Sequence, residues 1–260
     1  MYITLTRRRL LGGLAVVLVL VVGVAGMCLP PRAHAVGSWG LSYAAQGQTP
    51  RGNATADELG RYNAHFVGNT EEKVLYLTFD AGYENGNVAN ILDTLKREDV
   101  PAAFFVLGHL IKKNKELVLR MRDEGHLVCN HTKNHKDIST MTEDEIRKNL
   151  SDLEKMCEEK TGFPLDKYFR PPEGKFTEAS LTVTKSMGYK NIFWSYAYAD
   201  WDEGQQIKPQ KALKKLKENL HDGEILLLHP TSKTNAIILR DFVQYAKDEG
   251  YRFKSLNEFK

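Results

Sequence analysis

Cysteine is scarce in this sequence, with three among 260 residues. Cys28 falls inside an N-terminal apolar run, and only Cys129 and Cys157 lie beyond it. That excludes a disulfide-built scaffold and leaves room for one bridge at most. Cys129 sits in an apolar strand pattern and Cys157 on the apolar face of a helix pattern, which predicts two buried free thiols. A basic excess is also missing once the N-terminal segment is set aside. The 36 basic residues less Arg7, Arg8, Arg9 and Arg32 leave 32 against 33 acidic, a net charge of −1. No basic field remains to attract nucleic acid. The first strand turn lacks Gly-x-Gly-x-x-Gly, so nothing supports dinucleotide binding. No internal repeat or low-complexity tract follows the apolar run. With 42% hydrophobic and 27% charged residues, the body suits a soluble globular protein of one or two domains.

What is present begins with Arg7-Arg8-Arg9, an apolar run from Leu10 to Leu29, and Ala33-His34-Ala35. Basic, then apolar, then small-x-small is the order of a secretory signal cut after Ala35. The run is long enough to span a bilayer if uncut, so a membrane anchor is the alternative. Thr6-Arg7-Arg8-Arg9-Leu10-Leu11 also resembles a twin-arginine export signal. Either reading places the body outside the cytoplasm. Residues 1–35 are therefore assigned to a signal or anchor. Residues 36–70, with isolated Trp39, Tyr43, Tyr62 and Phe66, read as an irregular arm packed on the domain that follows. A short helix is expected near Ala56–Tyr62.

From Val74 strands and helices alternate through residues 71–260. Strands are expected at Val74–Phe79, Ala102–Val106, His126–Cys129, Lys167–Phe169, Tyr189–Trp194, Glu224–Leu228 and Tyr251–Lys254. Helices are expected at Asn87–Glu98, Lys113–Glu124, Glu143–Lys160, Glu178–Met187, Gln210–Leu220 and Asn235–Glu249. Thr142 with Glu145 forms a capping box and Gly162 a stop signal. This rhythm calls for parallel strands with right-handed crossovers. Asp80, His131, Arg170, Asp200 and His229 all lie at or just past the carboxyl ends of five different strands. A site gathered from several strand ends is a barrel arrangement. Seven strands predict an α/β fold, a distorted and incompletely closed (β/α) barrel.

Each polar group has a plain and a chemical reading. Asp80 ends a buried strand, where a carboxylate serves as a cap, an ion-pair partner or a base. His131 and His135, at i and i+4, would share one face of a helical turn and could hold a divalent ion; otherwise they are two solvated loop histidines. His126 reads as structural. Arg170 precedes Pro171-Pro172-Glu173-Gly174, a rigid turn, and could clamp a carboxylate or simply lie at the surface. Trp194, Tyr196, Tyr198 and Trp201 suit a sugar ring or a core. His229 could be a packing residue, or an acid whose tautomer Asp200 sets.

Together these residues resemble the polysaccharide deacetylase family of carbohydrate esterases, which share a chitooligosaccharide-deacetylase-like domain. The matches, in the family's order over about residues 70–260, are Thr78-Phe79-Asp80-x-Gly82, His131-x-x-x-His135, Arg170-x-Pro172-x-Gly174, Asp200-Trp201 and Leu226-x-x-His229. The resemblance implies metal-assisted removal of N-acetyl groups from a glycan. By that likeness Asp80 is the base, Arg170 orients it, His229 is the acid, Asp200 steadies His229, and His131 with His135 holds a divalent metal, zinc by preference. Backbone N–H groups of residues 170–175 are expected to help with the oxyanion, and Tyr83, Pro172, Trp194 and Trp201 to contact substrate.

Thr78–Gly86, Phe193-Trp194-Ser195, Asp200-Trp201 and Trp39-Gly40 resemble more closely the delta-lactam-biosynthetic de-N-acetylases of spore cortex. That branch acts on peptide-free N-acetylmuramic acid and yields muramic δ-lactam. The resemblance implies a monomer working on peptidoglycan strands at the forespore or cell envelope, after an N-acetylmuramoyl-L-alanine amidase. Most of the family has a second Asp where this chain has Ala81. Ala cannot ligate, so the metal is expected to be weakly held. The alternatives are a general chitin or peptidoglycan N-acetylglucosamine deacetylase, and an inactive glycan-binding pseudoenzyme.

Overall fold

The structure is a computed structural model describing residues 37–43 and 45–259; the segment read as a signal or anchor lies outside the described residues. In chain order the arm contributes β1 (Gly37–Ser38), β2 (Leu41–Ser42), β3 (Arg51–Gly52), α1 (Ala56–Gly60) and β4 (Ala64–His65). The body continues with β5 (Val74–Ala81), α2 (Asn87–Glu98), β6 (Ala102–Val106), α3 (Gly108–Lys113), α4 (Lys115–Asp123) and β7 (Leu127–Asn130). Then come α5 (Glu143–Thr161), β8 (Asp166–Phe169), β9 (Lys175–Phe176), α6 (Glu178–Ser186), β10 (Lys190–Ile192) and β11 (Tyr196–Ala197). The chain closes with α7 (Pro209–Asn219), β12 (Glu224–Leu228), α8 (Lys233–Asp248) and β13 (Arg252–Phe253).

The main sheet runs β11-β12-β5-β6-β7-β8-β10-β4, with β13 beside β5. Its pairings are all parallel. Among the described residues the end strands β11 and β4 are not bonded to each other, so the curled sheet stays open on one side. That is the distorted, incompletely closed barrel the alternation predicts. All seven expected strands are present. Two further pieces, β4 and β11, are two residues each, too short to show a period.

Strand parity sorts the core. On β5, Leu75, Leu77, Phe79 and Ala81 join an apolar layer with Val88, Ile91 and Leu92 of α2 and Phe242 of α8. Val74 and Tyr76 point the other way, to a layer built almost wholly of strand residues such as Phe105, Cys129 and Ile225. Side chains two apart share a face, so Thr78 and Asp80 continue that inner row. Each fully buried Leu, Ile or Phe contributes about 1.5–3 kcal/mol. Cys129 and Cys157 are buried free thiols, as expected.

The Thr142–Glu145 capping box forms, and Gly162 ends α5 at φ 81°. The helix expected at Lys113–Glu124 is α4, and a further short helix, α3, precedes it. They break at Asn114 (φ −133°, ψ 43°), a residue that competes poorly in helix interiors.

The arm is clasped to the body at one point above all. β1 pairs antiparallel with β9. Trp39 follows, buried against Phe66 and Phe193 at ring separations of 4.9 and 5.0 Å. Its indole Nε1 donates to the Trp194 carbonyl at 2.9 Å, and its backbone N–H to the Gly174 carbonyl at 2.8 Å.

Candidate active site

Asp80 reaches the carboxyl end of β5 on the inner row. There Arg170, at the end of β8, meets it. Arg170 is fully buried. Its Nη1 donates to Asp80 Oδ1 at 2.8 Å, Nη2 to Thr78 Oγ1 at 2.9 Å and to the Phe193 carbonyl at 3.2 Å, and Nε to the Ile192 carbonyl at 3.0 Å. Its guanidinium also lies 4.2 Å from the Phe105 ring centroid. This grip holds the planar fork in one pose. Burial alone would raise the Asp80 pKa. Neighbouring His131, Arg170 and His229 more than reverse that and hold it below the usual carboxylate range. Asp80 is therefore ionised.

His131 follows β7. Its Nδ1 donates to the Arg170 carbonyl at 2.8 Å, which leaves the Nε2 lone pair facing Asp80 Oδ2 at 3.4 Å. Burial lowers the His131 pKa to about 4, so the ring is neutral at pH 7. His135 stands edge-on to it, ring centroids 5.0 Å apart. The expectation that a helical turn unites the two histidines is wrong. They lie in a loop where Thr132 (φ 70°) and His135 (φ 56°) are both left-handed. Asn130 supports that loop by accepting the Thr132 N–H at 2.9 Å. His126 is structural: its Nδ1 accepts the Ala102 N–H at 3.3 Å, and burial lowers its pKa to about 4.

On the opposite wall, His229 follows β12. Its Nδ1 donates to Asp200 Oδ1 at 2.7 Å and its backbone N–H to Asp200 Oδ2 at 2.8 Å. Burial opposes a charge on His229, but the bond to Asp200 and the charges of Asp200 and Asp80 outweigh it and raise the pKa. The two walls therefore carry a base already ionised and an imidazole that readily holds a proton.

Between them lies a cleft of ≈ 760 Å³, within the span of about 300–1,000 Å³ usual for ligand sites. Asp80, His131, His135 and His229 line it, as do Tyr83, Trp194 and Trp201. Trp201 is exposed, with its ring 6.0 Å from that of His229. Tyr83 is half-exposed and donates to Glu203 Oε1 at 3.0 Å. Arg170 and Asp200 are buried behind the walls, bonded to Asp80 and His229. Pro172 does not line the cleft among the described residues; it is buried in its turn, and Glu173 beside it lines the cleft instead. The oxyanion expectation also narrows. Pro171 and Pro172 have no N–H, and those of Arg170, Gly174 and Lys175 donate to backbone carbonyls.

Sequence reasoning missed several groups. Thr78 Oγ1 donates to the Leu226 carbonyl at 2.7 Å while accepting Arg170. Asn85 and Asn87 both donate to the Thr231 carbonyl, at 2.9 and 3.0 Å, and so tie the loop after β5 to the loop after β12. Asn235 of α8 donates to Asp200 Oδ2 at 2.6 Å. Thr78 and Asn85 lay within quoted motifs, but nothing in those motifs assigned them a partner.

The residues fit a divalent ion through donor chemistry. Imidazole nitrogens suit zinc, and the buried His131 Nε2 lone pair faces a carboxylate rather than a donor. Among the described residues no group of three His, Cys, Asp or Glu could hold an ion. Ala81, on the helix-facing side of β5, lies in the apolar layer. The donor set is thus an open pair and not a closed cage.

The sequence matches the polysaccharide deacetylase family over residues 67–192. It is 40% identical over 222 residues to the peptidoglycan-N-acetylmuramic acid deacetylase PdaA of Bacillus subtilis, covering 85% of this chain and 84% of that protein. The structure of PdaA, a family 4 carbohydrate esterase, matches with a TM-score of 0.82 over 85% of this chain and 95% of that one. A peptidoglycan-N-acetylglucosamine deacetylase of Bacillus cereus is 30% identical over 191 residues, 72% of this chain and 88% of that protein. A CE4 family pseudoenzyme from Bacillus anthracis matches at 27% identity and a TM-score of 0.68, over 75% of this chain and 68% of that one. Curled sheet, strand-end site and likeness to these proteins agree: this chain belongs to the polysaccharide deacetylase family.

Proposed function

We propose that this chain hydrolyses the acetamide of N-acetylmuramic acid in peptidoglycan strands, releasing acetate and leaving the amine. The observation that carries the reading is the pairing of Asp80 with Arg170 on one wall and His229 with Asp200 on the other. An ionised carboxylate and a proton-holding imidazole across one cleft suit base and acid roles. The choice of muramic acid rests on the likeness to PdaA, a peptidoglycan-N-acetylmuramic acid deacetylase.

In this mechanism Asp80 Oδ2 takes a proton from water as the water attacks the amide carbon. Arg170 keeps Oδ1 occupied, so Oδ2 is the oxygen that accepts. The Glu173 N–H is the donor that residues 170–175 can offer to the oxyanion. His229, with Nδ1 bound to Asp200, delivers its Nε2 proton to the departing nitrogen. Trp194, Trp201 and Tyr83 give the sugar apolar faces. His131 and His135 would hold a divalent ion, which supplies Lewis-acid polarisation of the carbonyl when bound. After deacetylation the muramic amine lies near its own lactyl carboxylate, so six-membered lactam closure is intramolecular. Work on a spore cortex substrate, outside the cytoplasm and after an amidase has removed stem peptides, belongs to the same reading.

The test is mass spectrometry of peptide-stripped glycan incubated with the purified protein, with and without chelator. Loss of acetyl from muramic residues is the expected result, and further loss of water would place lactam closure here too. Loss of acetyl from N-acetylglucosamine alone would favour the specificity of the Bacillus cereus relative. Ala81 favours a second reading, a glycan-binding protein without turnover, and a CE4 family pseudoenzyme is among the similar structures. No mass change under any added divalent metal, with glycan still retained, would establish that one. Asp80→Asn and His229→Ala should each still fold and lose about 10²–10⁴-fold in rate; near wild-type turnover in either overturns the assignment.

A further inference from the structure

We propose that Asn235 and Tyr198 are a positioning pair for the proton donor: they fix the plane of the Asp200 carboxylate and so keep the His229 Nδ1 proton in place. The proposal rests on the reading of His229 as the acid. Asn235 is fully buried in the first turn of α8, six residues after His229. Its Nδ2 gives one hydrogen to Asp200 Oδ2 at 2.6 Å and the other to the His229 carbonyl at 3.1 Å. Its Oδ1 accepts the Tyr198 hydroxyl.

The direction of each bond is forced. A carboxylate and a carbonyl can only accept, so the amide nitrogen must face both. The amide oxygen must then face Tyr198, whose hydroxyl must donate. Asp200 Oδ2 receives two N–H groups, from the His229 backbone and from Asn235. Oδ1 is left for the ring at 2.7 Å. With both oxygens held, the carboxylate cannot turn about its Cβ–Cγ bond. The ring keeps its proton on Nδ1, and Nε2 is the nitrogen left for the cleft. Without Asn235, Oδ2 keeps only the His229 backbone donor, and the carboxylate and ring are held less firmly.

An asparagine that merely braced the His229–Asn235 turn would also be satisfied. The two roles separate in kinetics. Bracing affects stability; positioning affects a proton delivered in the transition state, so kcat falls while KM holds.

The test uses the full chain, with peptide-stripped glycan as substrate, comparing Asn235→Ala, Tyr198→Phe and His229→Ala. Asn235→Ala should lower kcat on the order of 10- to 100-fold, matching a lost hydrogen bond to a charged group, with KM little changed. Tyr198→Phe deletes one hydroxyl and should cost about 2- to 10-fold in kcat, matching one hydrogen bond. It carries the test if Asn235→Ala does not fold. Nitrogen-15 NMR of the imidazoles should find a slowly exchanging Nδ1 proton on His229 that both variants lose or broaden. Lowered stability with unchanged kcat and an unchanged Nδ1 signal would make Asn235 a brace and overturn the proposal. If His229→Ala keeps full turnover, the reading of His229 fails and the proposal with it. If the wild type has no turnover, the functional reading fails separately and the NMR signal alone decides the pair.

Discussion

Arg170→Met keeps roughly the volume of the side chain and removes everything polar about it. Asp80 then sits in the inner row with no cation bonded to it, and the carbonyls of Ile192 and Phe193 lose the Arg170 donor. Removing one member of a buried ion pair costs about 3–5 kcal/mol, because the surviving charge stays desolvated. An orphaned buried carbonyl adds about 1–3 kcal/mol where water cannot reach it. The sum rivals the entire stability of an ordinary domain, about 5–15 kcal/mol. The informative comparison is therefore the double variant Asp80→Asn with Arg170→Met. It has no charge left to strand, so it should be more stable than Arg170→Met alone. The expected coupling is about 1–3 kcal/mol, read from urea unfolding midpoints at constant slope. Effects that add within about 0.5 kcal/mol, the range for independent sites, would refute the claim that Arg170 acts on Asp80.

Burial raises the Glu224 pKa well above its ordinary value. The native state thus holds a proton that the unfolded chain has lost, so stability should fall as pH rises from about 4.3 through the folded pKa; Glu224→Gln should flatten that slope in urea titrations, and equal slopes would refute it. Ala81→Asp puts a carboxylate into an apolar layer; it should lower metal-free stability and tighten zinc binding in calorimetry, and unchanged affinity would count against a site at His131 and His135. Gly174→Ala places a methyl 2.9 Å from both Trp39 Cβ and the Trp194 ring at φ +67°; it should cost about 1–3 kcal/mol and weaken glycan binding, and an unshifted melting temperature would refute the close fit. Thr142→Ala removes the cap of α5 and should cost about 0.5–2 kcal/mol, checked by the same melts.

The sequence was most legible where local chemistry alone decides structure. The apolar run of β5 marks Asp80 as a carboxylate at the end of a buried strand. Capping residues fix the starts of α5 at Glu143 and α6 at Glu178. The motifs around Asp80, His131, Arg170, Asp200 and His229 name groups that do meet. What escaped depends on partners far along the chain. β4 has two residues, and its place at the sheet edge comes from β10. Thr132 and His135 adopt left-handed backbone that nothing in His131-Thr132-Lys133-Asn134-His135 announces. Pro172 sits in the right motif but turns inward, because the clasp on Gly174 fixes its turn. Asn235 looks like any polar residue in a first helical turn until Asp200 is brought beside it. Ser195 is similar: its hydroxyl is sealed against His221 Nε2 at 2.8 Å, a pairing 26 residues apart.

The Trp39 clasp has a consequence for the order of events during synthesis. Trp39 leaves the ribosome early, while the carbonyl that receives its indole N–H lies 155 residues later. Until that stretch has emerged, Trp39 and the left-handed turn at Gly174 lack the Trp194 side of the clasp. Loop-closure entropy grows only slowly with length, by about 0.6 kcal/mol per doubling, so the delay is one of waiting and not of strain. The wall formed by Glu173 and Trp194 is therefore a late product of folding, whereas the strands carrying Asp80 and His131 can pair before it. A nascent chain would pair the strand that carries Asp80 before Arg170 could be gripped by the Ile192 and Phe193 carbonyls.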